Sequence, residues 1–222
     1  MIDAQEYALP LVVRVERGEP PALTDALETA ARAVLTFLAD ERTNGDGEWA
    51  RTVRQWEGSA IRKVVRRARG AEWRRAVALS GITVTGGGAA VRVFPPVPVD
   101  DWPRDLARLQ VSGTELTDPE PPTPPVDGLP VLWIGPDLEM SAGKAMAQAA
   151  HGAQLAWRRL PAAERKDWRE ADFALAVRTA PGTAEWSRLV HSGLPVVRDA
   201  GFTEIAPGSC TVVADHPGLR TP

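Results

Sequence analysis

The sequence predicts an α/β protein made of two related halves, each a sheet layered with helices. Two observations predict this fold class. Short apolar segments with strand character alternate along the chain with longer amphipathic segments, which is typical of a sheet covered by helices. The same order of segments then occurs twice, before and after a proline-rich stretch.

The proline-rich stretch at residues 118–128 marks the boundary between the halves. Five prolines lie between residues 119 and 125, and this density favours an extended spacer and excludes helix. The chain has 222 residues, enough for two domains of about 100 residues each. We therefore expect a domain at residues 1–117, a linker at 118–128 and a second domain at 129–222.

The elements of the first half follow from runs of apolar residues and their spacing. The Ala-rich segment from Leu23 to Leu38 has the apolar periodicity of an amphipathic helix, and residues 102–109 predict one or two further helical turns. The strands of this half are expected near residues 9–15, 60–67, 81–84 and 89–94.

The second half repeats this pattern at similar spacing. Helices are expected at about residues 141–159 and 182–192, with a short helical piece at 161–169. The strands of this half are expected near residues 131–135, 173–178, 195–198 and 210–214.

Short matches between the halves support an internal duplication. Each half opens with a strand candidate that contains Leu-Pro, LPLVVRV from Leu9 and LPVLWIG from Leu129. Ala-Glu-Trp occurs at residues 71–73 and again at 184–186, in the same relative place. Each half then ends with a glycine turn and a strand that runs into proline. Because the matches share one order, we interpret the second half as a relative of the first.

Composition predicts a cytoplasmic protein without metal or cofactor. Hydrophobic residues make up 44% of the chain and charged residues 25%, values typical of soluble globular proteins. No apolar run is long enough to span a membrane, and the first residues lack the pattern of a signal peptide. The single cysteine, Cys210, excludes an internal disulfide, and three histidines add no Cys/His metal cluster.

The charge of the chain is uneven. The net charge is −3, so no chain-wide basic surface for nucleic acid is expected. Between Arg51 and Arg75, however, nine basic residues stand against two acidic ones. This stretch is either a solvated face of a helix or strand, or a patch that contacts phosphates. The candidates for phosphate contact are Arg62, Lys63, Arg66, Arg67 and Arg69.

A polar stripe on the helix predicted to begin near Ser141 contains the first candidates for chemistry. Lys144, Gln148 and His151 follow the spacing of one helix face, while Ala and Met residues form the side that faces the sheet. The stripe starts at the helix N-terminus, where free backbone N–H groups favour anions. Lys144 is one of only three lysines beside 23 arginines.

A second candidate is Asp199, which follows the apolar run LPVVR at the end of a predicted strand. Ligands of open α/β sheets bind beyond the carboxyl ends of strands. If this strand and the strand near 131–135 are parallel neighbours, Asp199 converges with Lys144 and His151. Thr203 adds a hydroxyl in the following loop. Taken alone, Asp199 also fits a turn cap, and Lys144 and His151 also fit solvated or satisfied helix residues.

The runs MSAGKAMAQAAHG and DAGFTEIAPGSCTVV resemble the two motifs of the type II peptidyl-tRNA hydrolases, over about Leu129 to Pro217. The resemblance implies a mixed four-stranded sheet flanked by helices, no metal, and a homodimer in the usual members. It also implies cleavage of the ester that joins a peptide to the 3′ end of tRNA. Carried over residue by residue, the functional positions are Lys144, Gln148, His151, Asp199 and Thr203.

The chain departs from the family pattern in ways that shape the expectation. Ala142 replaces the first lysine of the motif, and Phe202 stands where a basic or polar residue is common. The first half has neither motif. We therefore expect an intramolecular pseudo-dimer, a monomer or weak homodimer, in which an inert half replaces the partner subunit and its basic stretch holds tRNA.

Two functions follow from the resemblance. In an enzyme, Asp199 orients or deprotonates a water with help from Thr203, and Lys144 stabilises negative charge on the intermediate or a terminal phosphate. His151 then positions the ribose or the terminal base, and Gln148 orients a neighbour. The alternative is a non-catalytic relative that binds tRNA or the ribosome. No covalent intermediate is expected, because Ser209 and Cys210 have no adjacent base in the sequence.

Overall fold

A computed structural model describes residues 5–113, 115–201 and 204–220. The first half forms one sheet with helices on both faces. Its elements are β1 (Tyr7–Arg14), α1 (Leu23–Ala39), α2 (Ala50–Glu57), β2 (Arg62–Ala68), α3 (Gly70–Ala78), β3 (Ile82–Thr85), β4 (Ala90–Val93), β5 (Val97–Pro98) and α4 (Arg104–Ala107). The strand order is β2-β1-β4-β3, with the short β5 beside β1. Strand β2 is parallel to β1, and the other pairs are antiparallel.

The second half forms the mixed four-stranded sheet that the family resemblance implies. Its elements are β6 (Val131–Ile134), α5 (Ala142–Arg159), α6 (Ala162–Glu170), β7 (Ala176–Thr179), α7 (Thr183–Val190), β8 (Val196–Arg198) and β9 (Cys210–Asp215). The strand order is β7-β6-β9-β8. Strands β6 and β7 are parallel, and β9 is antiparallel to both of its neighbours. The α/β class and the helix-flanked sheet are confirmed.

The two sheets have the same strand order and the same strand directions. In each, the first strand of the half is central, the second lies parallel at one edge, and the fourth lies between the first and the third. This likeness fits the predicted duplication. Descent of both halves from one ancestral unit, and the domain limits, stay predictions.

Some elements differ from the sequence-based expectation. Helix α2 was not predicted, although its Ala50, Val53 and Trp56 are buried at helical spacing. The strand expected from residue 173 begins at Ala176. The reason is a tight turn: Asp172 and Phe173 adopt positive φ angles of 51° and 54°, which are incompatible with a strand. Phe173 is nevertheless buried in the core.

The halves pack on each other through α1 and α5, and a single hydrophobic core extends across both. Phe37 of α1 and Met146 of α5 are both fully buried in it. At the periphery Arg178 pairs with Glu28 at 2.7 Å, and its Nε donates to the carbonyl oxygen of Thr123 in the proline-rich linker at 2.8 Å. No helix of the described residues is both long and apolar enough to cross a membrane.

Candidate functional site

A cleft of about 340 Å³ opens between the two halves. One wall is formed by the first turns of α5, the end of β8 and Glu204. The opposite wall is formed by residues 60–66, along β2, together with Val99, Trp102 and Val111. The volume lies within the range of small-molecule sites, about 300–1,000 Å³. Both halves therefore contribute to one concave site.

The start of α5 is held in place by two acceptors. Ser141 is the N-cap, and its Oγ accepts a hydrogen bond from the backbone N–H of Lys144 at 3.2 Å. The Glu204 carboxylate in turn accepts from the backbone N–H and the Oγ of Ser141, each at 2.9 Å. An anionic side chain at a helix N-terminus is favourable. Glu204 thus fastens the loop after Asp199 to the helix that carries Lys144.

A close approach between α5 and β9 sets the height of the helix over the sheet. A Cβ added at Gly152 would meet the Val212 side chain at 2.7 Å, closer than real Cβ contacts allow. Glycine at this position therefore lets α5 lie directly on the sheet, and Gln148, one turn earlier, reaches the end of β8.

Asp199 is the centre of the site, and its side chain is 4% exposed. Its Oδ2 accepts a hydrogen bond from Gln148 Nε2 at 2.8 Å and pairs with the ammonium of Lys144. Its Oδ1 accepts from the backbone N–H of Gly201 at 2.7 Å. The bond from Gly201 confirms the turn-cap interpretation for Oδ1, and Oδ2 faces the side chains of α5. The functional role of Asp199 stays a prediction.

Gly201 is required by the turn that follows Asp199. Its φ is +78°, and an added Cβ would meet Pro207 Cγ at 2.3 Å. A side chain would be strained and would collide with the proline ring. Glycine at position 201 therefore permits the close approach of Pro207.

Thr211 is a residue of the site that the sequence analysis missed. It is fully buried in β9 and donates from Oγ1 to Gln148 Oε1 at 2.6 Å. That bond orients the amide so that Nε2 points at Asp199. A threonine that interrupts the apolar run of this strand was the available signal. Ser141 and Glu204 were missed as well, although a serine before a helix is a common N-cap.

The convergence of Lys144 with Asp199 is confirmed, but by a different route from the one predicted. Strands β6 and β8 run in the same direction, yet they are not neighbours, because β9 lies between them. The condition that the two strands be neighbours is therefore not met. Helix α5 brings the groups together instead, since it crosses from β6 to pack on β8 and β9.

His151 lines the same cleft, one turn beyond Gln148. Burial, together with the nearby charges of Lys63 and Arg158, lowers the pKa of His151 to about 2. The imidazole is therefore neutral near pH 7, and it can donate or accept a hydrogen bond but cannot serve as a cationic acid. Thr203, the remaining candidate, lies outside the described residues.

Three of the five basic candidates line the cleft: Arg62, Lys63 and Arg66. Lys63 Nζ donates to Gln154 Oε1 of α5 at 2.5 Å, and burial lowers its pKa well below the usual range. Arg66 donates to the carbonyl oxygens of residues 107 and 109 and stacks on Trp102, 4.5 Å from the ring centre. Both residues thus hold protein structure together while they face the cleft.

Arg67 and Arg69 do not belong to the described lining of the cleft. Arg67 donates to the carbonyl oxygen of Ser112 at 3.0 Å and to the side chain of Gln110. Arg69 precedes α3 as its N-cap residue. Across residues 5–113, 115–201 and 204–220, no group of three or more His, Cys, Asp and Glu side chains is arranged to hold a metal ion.

Fold and site together define an α/β protein with a charged, ligand-sized cleft around a Lys–Asp pair. The family model described as peptidyl-tRNA hydrolase PTH2 matches residues 130–221. A peptidyl-tRNA hydrolase of Thermococcus onnurineus is 35% identical over 97 residues, which cover 39% of this chain and 81% of that protein. The chain therefore belongs to the peptidyl-tRNA hydrolase family.

Two further relatives match a similar share of the chain. A peptidyl-tRNA hydrolase of Aeropyrum pernix is 37% identical over 94 residues, covering 36% of this chain and 76% of that protein. The mitochondrial peptidyl-tRNA hydrolase 2 of Bos taurus is 35% identical over 97 residues, covering 40% of this chain and 54% of that protein. The family match begins at residue 130 and leaves the first half outside it.

Proposed function

We propose that the protein hydrolyses the ester between a peptide, or an N-acyl-aminoacyl group, and the 3′ end of tRNA, and so recycles peptidyl-tRNA in the cytoplasm. The observation that carries the proposal is the carboxylate of Asp199, held by Lys144, Gln148 and Gly201 at the floor of the cleft. Membership of the family supports the same reaction. The inert half takes the place of a partner subunit, so a monomer or weak homodimer suffices.

Asp199 is the proposed base or orienting group for water. An ionised carboxylate has about four acceptor sites, and the described contacts of Asp199 use three of them. A water on the fourth site attacks the ester carbon and gives a proton to the carboxylate, directly or through Thr203. When the intermediate collapses, the bond to the ribose oxygen breaks and that oxygen takes the proton.

Lys144 is the proposed electrostatic stabiliser. Its side chain is 12% exposed and lies in the cleft beside Asp199. A fixed ammonium next to the attacked carbon stabilises the negative charge that develops on the carbonyl oxygen. Gln148 keeps the Asp199 carboxylate in one orientation and acts through it. Neutral His151 is suited to a hydroxyl of the terminal ribose or to the terminal base.

The basic side chains of the cleft are the proposed contacts for the tRNA backbone. Arg62, Arg66 and Arg198 line it beside Lys144, and they outnumber its carboxylates. The binding of phosphates by such groups weakens as salt rises. Arg67 and Arg69 extend this patch on the surface of the first half.

The experiment that tests the proposal measures release of N-acetylated amino acid from N-acetyl-aminoacyl-tRNA. We expect metal-independent turnover by the wild type, and a fall in kcat on the order of 10²–10⁴ for Asp199→Asn and for Lys144→Ala. Lys166→Ala is the matched control, because Lys166 is 73% exposed on α6, outside the cleft.

A non-catalytic tRNA- or ribosome-binding relative is the second candidate. The observation in its favour is Ala142, which stands where the family motif has a lysine. A folded wild type that binds tRNA without turnover would establish this candidate and reject the enzyme. In that case the Asp199→Asn protein would also bind tRNA as tightly as the wild type.

A further inference from the structure

The cleft runs along the edge of β2, not across one face of its sheet. Successive residues of a strand point to opposite faces, so a cavity on one face would meet every second residue. Here all consecutive residues from 60 to 66 line the cavity. Lys63 and Val65 lie on the face of the main core, and Arg66 lies on the opposite face, over Trp102. Only the edge of the strand meets both sets.

The backbone groups that point into the cleft can be assigned from two hydrogen bonds. The carbonyl oxygen of Ala68 accepts from Val15 N at 3.0 Å, on the side of β1. The N–H of Arg67 donates to the carbonyl oxygen of Gln110 at 3.0 Å, on the other side. Because the direction alternates along a strand, the N–H and C=O groups of Lys63 and Val65 also point away from β1. Among the described residues, Gln110 is the sole backbone partner on that side of β2.

We propose that this edge of β2 binds the peptide part of the substrate as an added strand. The proposal rests on the proposed function, because it assumes a peptidyl-tRNA substrate. The edge forms the wall opposite Asp199 and Lys144, so a peptide whose ester lies at Asp199 leads along it. Lys63 and Val65 offer up to four hydrogen bonds, which pair with a peptide of about four residues. Backbone pairing is indifferent to side chains, which suits a substrate whose peptide sequence varies.

The flanks of the edge fit the same occupant. Val99, Trp102 and Val111 line the cleft on the side of the first half, and Val111 is 53% exposed. These apolar groups can cover the side chains of a bound peptide. The bridge between Arg67 and Gln110 closes the edge beyond Val65 and limits the length of chain that can pair.

The test compares two substrates, tRNA carrying one N-acetylated residue and tRNA carrying an N-acetylated four-residue peptide. We expect kcat/KM to be about tenfold higher for the longer peptide, as one or two net hydrogen bonds would provide. Val65→Pro removes the N–H that points into the cleft, and proline is tolerated at a strand edge when its nitrogen faces away from the ladder. This change should reduce the ratio of the two kcat/KM values to about 1.

The matched control is Val65→Ala, which removes apolar volume but keeps the N–H and should keep the ratio. A wild-type ratio near 1 would overturn the proposal without any variant. Equal loss of the ratio in Val65→Pro and Val65→Ala would also overturn it, since the cause would then be packing.

A binding measurement separates this proposal from the proposed function. The probes are tRNA 3′-end minihelices that carry one or four residues through a non-hydrolysable amide. Tighter binding of the four-residue probe, lost in Val65→Pro, would support the edge even if the protein turned over no ester. Equal binding of both probes and of the deacylated minihelix would reject the edge and assign the cleft to nucleic acid alone.

Discussion

The two halves each present the start of a long helix to a cleft that the other half closes. The second cleft, of about 420 Å³, lies between α1 with the loop after β3 and residues 129, 171, 172, 174 and 175 of the second half. The third, seventh and tenth residues of α5 are Lys144, Gln148 and His151, and those of α1 are Asp25, Thr29 and Arg32. The same three positions of one fold thus carry different chemistry.

The two helices begin with opposite charges at their third position, Asp25 in α1 and Lys144 in α5. Asp25 accepts hydrogen bonds from the backbone N–H groups of Gly87, Gly88 and Ala89, at 2.6–3.0 Å. In the first half the carboxylate lies on the helix and caps the loop. In the second half the carboxylate lies in the loop and faces a lysine on the helix. The two halves show that the same arrangement of sheet and helix can join the helix start to a loop either by hydrogen bonds alone, as at Asp25, or by an ion pair, as at Lys144 and Asp199.

The largest expected effect separates the two aspartates. Asp199→Asn should lower kcat by a factor on the order of 10²–10⁴, with a smaller effect on tRNA affinity. Asp25→Asn should leave kcat near the wild-type value and lower the free energy of unfolding by about 1–2 kcal/mol, because the loop N–H groups of residues 87–89 lose a charged acceptor. Turnover assays and urea unfolding check both. Loss of turnover in Asp25→Asn would break the comparison.

The next effect compares two glycines of the second half that both have a positive φ. Gly201→Ala should lower the free energy of unfolding by about 1–3 kcal/mol and lower kcat about tenfold or more, since the new Cβ collides with Pro207 and shifts Asp199. Gly193→Ala is the matched control: its φ is +82° but nothing lies within 4 Å. That variant should cost about 1 kcal/mol of stability and retain kcat. Equal losses of kcat in Gly201→Ala and Gly193→Ala would contradict the view that the contact of Gly201 with Pro207 positions Asp199.

The tenth helix position should give the site a pH dependence of stability. His151 has a folded pKa of about 2, below its ordinary 6.5. The unfolded chain therefore binds a proton that the folded chain does not. The contribution of neutral His151 to the free energy of unfolding is fully present above pH 6.5 and is lost as the pH falls. From pH 7 to pH 5 the loss is about 2 kcal/mol. His151→Gln should remove that part of the acid dependence in urea unfolding.

A second histidine, His216, contributes to the same loss of stability at acid pH. Burial lowers the pKa of His216 to about 4, so it acts in the same direction. His216 is present in both the wild type and His151→Gln, so the difference between their acid dependences of stability is due to His151. An unchanged acid dependence in His151→Gln would contradict the burial argument. At the matching position of α1 stands Arg32, which pairs with Asp172 at 2.5 Å.

The smallest expected effect tests the residue behind Gln148. Thr211→Val leaves Gln148 Oε1 without its donor and should cost about 1–2 kcal/mol of stability. The freed amide should also orient Asp199 less well, with a few-fold lower kcat and little change in KM. Thr29→Val is the control at the seventh position of α1, where the hydroxyl lies 3.4 Å from Asp25 Oδ1. Its kcat should match the wild type. Kinetics unchanged in Thr211→Val would show that the hydroxyl only fills space.

Local patterns were enough to predict most of the fold. The apolar spacing of α5 and the apolar run before Asp199 placed the helix face and the strand end correctly, because both are read from neighbours in sequence. Helix α2 was missed because its charged residues outweigh a narrow apolar side. The start of β7 was misplaced because the turn at Asp172 and Phe173 uses positive φ angles at residues that carry no glycine signal.

By itself, the sequence determined the α/β class and the family resemblance, and it singled out Lys144, Gln148 and Asp199 as candidates. Only the tertiary structure decided how these side chains meet, since β9 between β6 and β8 and the closeness of α5 at Gly152 depend on contacts far apart in sequence. It also decided that residues 60–66 of the first half form the opposite wall. Pairing and burial between distant segments leave no period in the chain, so they appear only when it is folded.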